Sequence, residues 1–122
     1  MQLGEIYLFE AEVQGRKKRK YHIFICPPLE EHQNLFLFIN TMDWYKDYKL
    51  LQSDYLFLSY DSFVGCNAAI PYTDAQLVAA APVHVGNMSK QHLKELRDAI
   101  IAAETMRQMD ANVVCKALAA AI

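Results

Sequence analysis

Five consecutive cations at residues 16–20 are the feature of this sequence with the most obvious chemical use. They are Arg16, Lys17, Lys18, Arg19 and Lys20. The formal net charge is −2, so the whole chain does not attract nucleic acid, but the block creates a local positive potential suited to phosphates. His22 follows closely, and its ordinary pKa near neutrality would suit a general acid or base. Strand alternation also places His22 with Phe24 and Cys26, where a hydrogen-bonded structural histidine is the alternative.

Aromatic residues around this block could stack on nucleic-acid bases. The candidates are Tyr21, Trp44, Tyr45 and Tyr48. Stacking holds single strands with little sequence preference. A small domain also needs aromatic side chains in its core, and that packing role is the alternative for most of them. Trp44 and Tyr45, which closely follow Thr41, are the two that we expect to contact a ligand.

The other polar and sulfur-containing residues do not indicate metal or thiol chemistry. Asp61 and Ser62 could pair at the mouth of a site, but these residue types also close turns by bonding to their own backbone. The spacing of His84 and His92 does not indicate a metal site. Cys66 has no basic residue close in sequence, which favours a buried thiol over a nucleophile. We therefore expect no metal and no cofactor.

Length and composition favour one folded domain over residues 1–122. Hydrophobic residues make up 53% of the chain and charged residues 21%, a balance that supports a buried core. The three cysteines are odd in number and widely spaced, which indicates a reducing compartment and no disulfide framework. An early acidic residue and the lack of a long apolar run favour a cytoplasmic protein that does not enter a membrane.

Short apolar runs between polar or proline residues predict β-strands. The predicted strands are Glu5–Val13, 21–26, 35–40, 68–72 and 83–85. Residues 14–20 are predicted to form a solvated hairpin loop, and residues 44–53 a loop or covering turn. Residues 73–81 also permit a helical turn, and this alternative stays open.

The clearest helical spacing lies near the C-terminus. Ser89 is predicted to cap a helix, with Met88 and Leu93 as a hydrophobic staple. The buried face of this helix is predicted to comprise Leu93, Leu96, Ile100, Ala103 and Met106. Asp110 is predicted to cap a second helix that runs to Ile122. Strands followed by helices indicate an α+β fold with a small, strongly bent antiparallel sheet or partly open β-barrel.

Several segments, in order, resemble the PemK/MazF-like toxins of toxin-antitoxin pairs. They are Gly-Glu-Ile-Tyr at residues 4–7, Lys-Tyr-His-Ile-Phe-Ile at 20–25 and Leu-Phe-Ile-Asn-Thr at 37–41. Tyr-Asp-Ser-Phe-Val at residues 60–64 is similar to a His-Asp-Ser-Tyr-Val-type block of further relatives. The resemblance covers most of the chain and implies a small SH3-like barrel with a C-terminal helix. Where the family carries Arg-Pro, this chain has Lys20 and Tyr21.

The resemblance also implies an activity: metal-independent cleavage of single-stranded RNA by attack of the 2′-hydroxyl on the adjacent phosphate. Such a site needs a cation for the developing phosphorane charge, here Lys20 or Arg19, and a hydroxyl donor, here Thr41. The predicted substrate-binding residues are Arg16, Lys17, Lys18, His22, Trp44 and Tyr45. A homodimer and a small antitoxin protein that covers the basic residues are implied as well.

A non-catalytic SH3-like binding module is the alternative function. It would recognise a protein or a nucleic acid in the groove between the basic hairpin and the Trp44 segment. The basic block is then a solvated hairpin tip, and Thr41 is an ordinary hydroxyl at a strand end. Both functions require the cations that precede Tyr21 to lie beside Thr41.

Overall fold

The structure is a computed structural model that describes residues 1–29 and 32–120. Seven strands and three helices are found in this part of the chain. The strands are β1 Glu5–Val13, β2 Arg16–Cys26, β3 Asn34–Asn40, β4 Tyr48–Leu50, β5 Ser62–Val64, β6 Ile70–Tyr72 and β7 Val83–Asn87. The helices are α1 Asp74–Ala80, α2 Lys90–Ala103 and α3 Gln108–Ala120. The predicted α+β class with C-terminal helices is confirmed.

The strands form one antiparallel sheet in the order β4-β5-β3-β2-β1-β7. β5 pairs with one half of the free edge of β3, and β6 pairs with the other half. Register irregularities occur between Ile6 and Tyr7 in β1 and between Phe24 and Cys26 in β2. Because bulges bend strands and increase their twist, the sheet curls, while β4 and β7 lie at the two ends of the strand order.

The basic residues lie in a strand, so the predicted loop over residues 14–20 is wrong. Only Gln14 and Gly15 connect β1 to β2, and both have positive φ, 53° and 76°. Two positive φ angles are the signature of the two-residue turn that suits the twist of a hairpin. The cationic run continues the ladder because Lys17 lies opposite Glu12 and Arg19 opposite Glu10. Opposite charges across a strand pair favour this register.

Hydrophobic cores cover both faces of the sheet. The larger core joins the sheet to α2 and α3 and includes Ile23 and Ile25 of β2. The smaller core packs Phe24 with other aromatic rings and with Leu77 of α1. The central strands therefore bury alternate residues on opposite faces, as strand geometry requires.

The two C-terminal helices only partly follow the predicted boundaries. Ser89 caps α2 as predicted, because its side chain accepts a hydrogen bond from the amide of His92. α2 ends at Ala103, so Met106 is buried in the core from beyond the helix. Asp110 does not cap α3: the helix begins at Gln108, and Asp110 lies in its first turn. The predicted end at Ile122 lies outside the described residues.

Short elements account for the remaining differences. β4 lies inside the region 44–53 that was predicted as a loop or covering turn. The alternative left open for residues 73–81 resolves as α1, which begins after a capping box formed by Thr73 and Gln76. Within the described part of the chain, no helix has both the length and the apolar character needed to cross a membrane.

Candidate functional site

A groove of about 520 Å³ opens where the β1–β2 hairpin approaches the end of β3. We call it the lysine groove. The residues that define it are Lys18, Lys20, Asn40, Thr41, Trp44 and Tyr45. It therefore brings together two of the five block cations, the predicted hydroxyl and both predicted stacking residues. Of the basic block, Lys18 and Lys20 line the same groove as Thr41.

Lys20 is the best-positioned cation of the groove. Its side chain is half-buried, and its ammonium donates a hydrogen bond to the Oδ1 atom of Asn40. The Nζ atom also lies 4.8 Å from the centre of the Phe38 ring, within the range of a cation–π contact. Burial, and then the nearby charge of Lys18, lower the pKa of Lys20. Its ammonium is thus fixed in place by neutral groups.

Thr41 directly follows the last residue of β3 and is exposed. Thr41 lines the lysine groove together with Asn40. An exposed hydroxyl at a strand end can donate to a ligand oxygen without breaking the sheet. Because Thr41 is the next residue after Asn40, its position is fixed relative to the side chain that holds Lys20.

Trp44 and Tyr45 present aromatic surface to solvent on a braced turn. Their exposed fractions are 62% and 52%. Asp47 braces the turn, because its carboxylate accepts from the backbone amides of Trp44, at 3.1 Å, and Cys66, at 2.9 Å. The amide of Asp47 in turn donates to Asp43, at 2.8 Å. The backbone is held while the rings stay free to stack.

The register of the hairpin divides the basic block between two faces. Lys20 lies opposite Phe9, Lys18 opposite Ala11 and Arg16 opposite Val13, on the face of the lysine groove. Lys17 and Arg19 lie on the other face, opposite Glu12 and Glu10. Of the two predicted catalytic cations, Lys20 lines the same groove as Thr41, and Arg19 is not among the residues that line it. Lys17, predicted to bind substrate, is likewise on the far face.

His22 lies inside the smaller core and not in the groove. It has no exposed surface and stacks on Phe9 with ring centres 3.7 Å apart. Its Nδ1 atom is 2.8 Å from the carbonyl oxygen of Lys20, and its Nε2 atom is 3.0 Å from the hydroxyl of Tyr72. Because a carbonyl can only accept, Nδ1 carries the proton and Nε2 accepts from Tyr72. Burial lowers the pKa of His22 to about 4, so the ring is neutral at pH 7.

Sequence reasoning missed Asn40 and Phe38, which hold the Lys20 ammonium. In the structure His22 pairs with Phe38, and the next residues on the same face are Lys20 and Asn40. Alternation in both strands therefore carries Phe38 and Asn40 to the face of the groove. The pairing register was the missing information.

Other reactive groups do not add to this site. Within residues 1–29 and 32–120, no three His, Cys, Asp or Glu side chains gather where they could hold a metal ion. Cys66 is buried, and burial raises the pKa of its thiol to about 12. Cys26 and Cys115 also have pKa values raised by burial. A thiolate at neutral pH is therefore disfavoured at each of the three cysteines.

The lysine groove combines cations, an amide, a hydroxyl and two aromatic faces. Cations and hydroxyls match the oxygens of a phosphodiester, and exposed rings match the flat faces of unpaired bases. In comparisons with protein-family profiles, with curated proteins and with solved structures, no match to this chain is found.

Proposed function

We propose that this protein binds single-stranded RNA in the lysine groove and cleaves it without a metal, as the toxin component of a toxin-antitoxin pair. The observation that carries the proposal is the meeting of Lys20 and Thr41 in one groove beside Trp44 and Tyr45. A cation, a hydroxyl donor and stacking rings are the groups that an RNA phosphodiester and its flanking bases require.

The proposed reaction is an internal transfer at phosphorus. The 2′-oxygen attacks the adjacent phosphorus and loses its proton to water, while the bond from phosphorus to the 5′-oxygen breaks. The products are a 2′,3′-cyclic phosphate and a 5′-hydroxyl. The Lys20 ammonium offsets the negative charge that develops on the phosphorane, and Thr41 donates a hydrogen bond to it. The lowered pKa of Lys20 also makes its ammonium a better proton donor to the leaving 5′-oxygen.

The architecture and partners that accompany this activity are part of the proposal. They are an SH3-like barrel, a cytoplasmic homodimer and a small antitoxin protein that covers the basic residues, as the resemblance to PemK/MazF-like toxins implies. The curled antiparallel sheet followed by α2 and α3 supports the barrel assignment. The exposed charge on β2 supports an anionic or RNA-mimicking partner.

A non-catalytic SH3-like binding module is the second candidate, and one observation favours it. Among the residues that the structure describes, the side chains that line the lysine groove include no histidine and no carboxylate, and His22 is sealed in the core. A near-neutral general base is thus absent from the lining residues. A groove of this kind could bind RNA or an acidic protein segment without cleaving anything.

Induced expression followed by inspection of cellular RNA separates the two candidates. The endoribonuclease arrests growth and leaves cleaved transcripts, and both effects disappear in Lys20→Ala and Thr41→Val. Arg19→Ala is the matched control, because it removes the neighbouring cation on the opposite face and should keep the toxicity. Unaffected growth with intact transcripts would leave only the binding module, which should still retain a single-stranded oligonucleotide in vitro.

A further inference from the structure

Three cations recur at every second position along one face of β2. Arg16, Lys18 and Lys20 are each opposite an apolar residue of β1. Arg16 and Lys18 are exposed, and Lys20 is half-buried at the inner end of the row. Among the described residues, none of the ion pairs involves residues 16–20. The positive charge of this face is therefore available to a ligand.

The opposite face of the same strand has compensating charge. Lys17 and Arg19 stand directly across from Glu12 and Glu10. Directly opposite residues in an antiparallel pair have Cβ atoms about 5 Å apart, so each acid reduces the local potential of its neighbour. Successive side chains of β2 point to opposite faces. The cations of one face therefore lie opposite apolar residues of β1, and those of the other face lie opposite acidic residues.

We propose that Arg16, Lys18 and Lys20 form a phosphate ladder that contacts three successive phosphates of an extended RNA single strand. The strand runs along β2 from Lys20, beside Thr41, towards the hairpin turn at Gly15. This inference rests on the proposed binding of RNA in the lysine groove, but it does not depend on cleavage.

The spacing of the ladder determines the form of the bound strand. Side chains two positions apart on a strand are about 7 Å apart and follow a straight line. The phosphates of a stacked strand instead wind around a helix axis along which each nucleotide advances only about 3.4 Å, so three successive phosphates do not follow such a line. A strand that matches the ladder is therefore drawn out, with its bases unstacked. Unstacked bases are free to stack on Trp44 and Tyr45, which line the same groove. A duplex cannot lengthen in this way, so single strands should be preferred.

The salt dependence of binding tests the ladder one residue at a time. The probe is a fluorescently labelled 2′-O-methyl RNA oligonucleotide, which cannot undergo the transfer reaction, and it is titrated with the protein. Each phosphate contact on a single strand contributes about −0.7 to the slope of log K against log salt. Arg16→Ala, Lys18→Ala and Lys20→Ala should each make the slope shallower by about 0.7.

The opposite face supplies matched controls for charge and position. Lys17→Ala and Arg19→Ala change the net charge by the same amount on the same strand and should keep the wild-type slope. Lys94→Ala, on the exposed side of α2, is a remote control. Arg16→Lys should retain the contact. Thermal unfolding of every variant shows that the hairpin is intact.

The outcomes separate failure of the ladder from failure of the proposed function. Equal slope changes from both faces, or equal affinity for single-stranded and duplex RNA, would overturn the ladder and leave RNA binding standing. Displacement of the RNA by polyglutamate at equal charge concentration would also overturn it, because the site would then be a general anion surface. Failure of the wild-type protein to bind the oligonucleotide would remove both proposals.

Discussion

The ammonium of Lys20 donates a hydrogen bond to the side-chain carbonyl oxygen of Asn40 across strands β2 and β3. An amide orients a cation without neutralising it, since its oxygen carries only a partial charge. The Phe38 ring beneath the ammonium also orients the cation without neutralising it. The groove therefore presents a fixed but uncancelled positive charge to the position where a phosphate would lie.

Replacing this amide by a carboxylate should weaken RNA binding. In Asn40→Asp the new carboxylate pairs with Lys20, raises its pKa and cancels its charge. We expect about a tenfold loss of affinity for the 2′-O-methyl oligonucleotide, equivalent to ~1.4 kcal/mol. Fluorescence anisotropy measures the affinity, and NMR titration of the Lys20 side chain measures its pKa. Asn112→Asp, on exposed α3, adds the same charge elsewhere and should leave the affinity near that of the wild type.

The buried His22 should make stability depend on pH. Its pKa is about 4 in the folded protein, against an ordinary value of 6.5, because burial disfavours the charged ring. The unfolded chain therefore binds more protons between these values, so the free energy of unfolding falls as the pH is lowered through this window. From pH 7.5 to pH 5 this residue alone should remove roughly 2 kcal/mol. Urea unfolding at several pH values measures the loss.

Two variants isolate the contribution of His22. His22→Gln removes the titrating ring and should flatten the pH dependence between pH 7 and 5, although packing on Phe9 is lost at every pH. Tyr72→Phe keeps the imidazole of His22 but removes the hydroxyl that donates to its Nε2 atom. The free energy of unfolding should fall by about 1–3 kcal/mol near neutral pH. An equally steep pH dependence in His22→Gln would assign the effect to other groups.

The sequence patterns that identified elements correctly are those with strong local signals. β1 was predicted with its observed bounds, Glu5–Val13, because the apolar run is flanked by a glycine before it and a turn after it. The N-cap at Ser89 was recognisable because capping depends on residues close in sequence. The buried face of α2 followed from its helical spacing. For β1, for the Ser89 cap and for the buried face of α2, residues close in sequence were therefore sufficient for a correct prediction.

The missed features depend on pairing between distant residues. A run of five cations has low strand propensity, and β2 includes it because Glu10 and Glu12 lie across the ladder. The same register separates Lys20 from Arg19 and joins Lys20 to Asn40, which the sequence alone could not decide. β4, at residues 48–50, is only three residues long and exists by pairing with β5. Cross-strand register is thus the information that sequence periodicity lacks.

Gly86 should be intolerant of a side chain, because an added Cβ atom would lie 2.8 Å from the Phe57 ring. The ring also contacts Tyr21, with centres 5.0 Å apart, so displacement would disturb the packing of β2. We expect Gly86→Ala to lower the free energy of unfolding by about 1–3 kcal/mol. Chemical denaturation measures the change.

A double-mutant cycle distinguishes this clash from a general loss of flexibility. Phe57→Ala should relieve the effect of Gly86→Ala, which gives a favourable coupling energy between the two sites. Gly15→Ala is the contrasting control: nothing lies near its added Cβ, but φ is +76°, so it should cost about 1 kcal/mol through backbone strain. Additive effects of the Gly86 and Phe57 variants would show that the clash is not the cause.

Trp44 should report directly on RNA binding, because it is the only tryptophan of the chain and 62% of its surface is exposed. Stacking of a base on its ring should quench the intrinsic fluorescence as the 2′-O-methyl oligonucleotide is added. Trp44→Ala should cost about 1–3 kcal/mol of binding free energy, the range for one stacked base, whereas Trp44→Phe should retain much of it. Tyr60→Ala removes an equally exposed ring outside the groove and should not change the affinity. If the oligonucleotide binds without quenching the fluorescence, and if Trp44→Ala does not alter the affinity, the bases follow a path away from this ring.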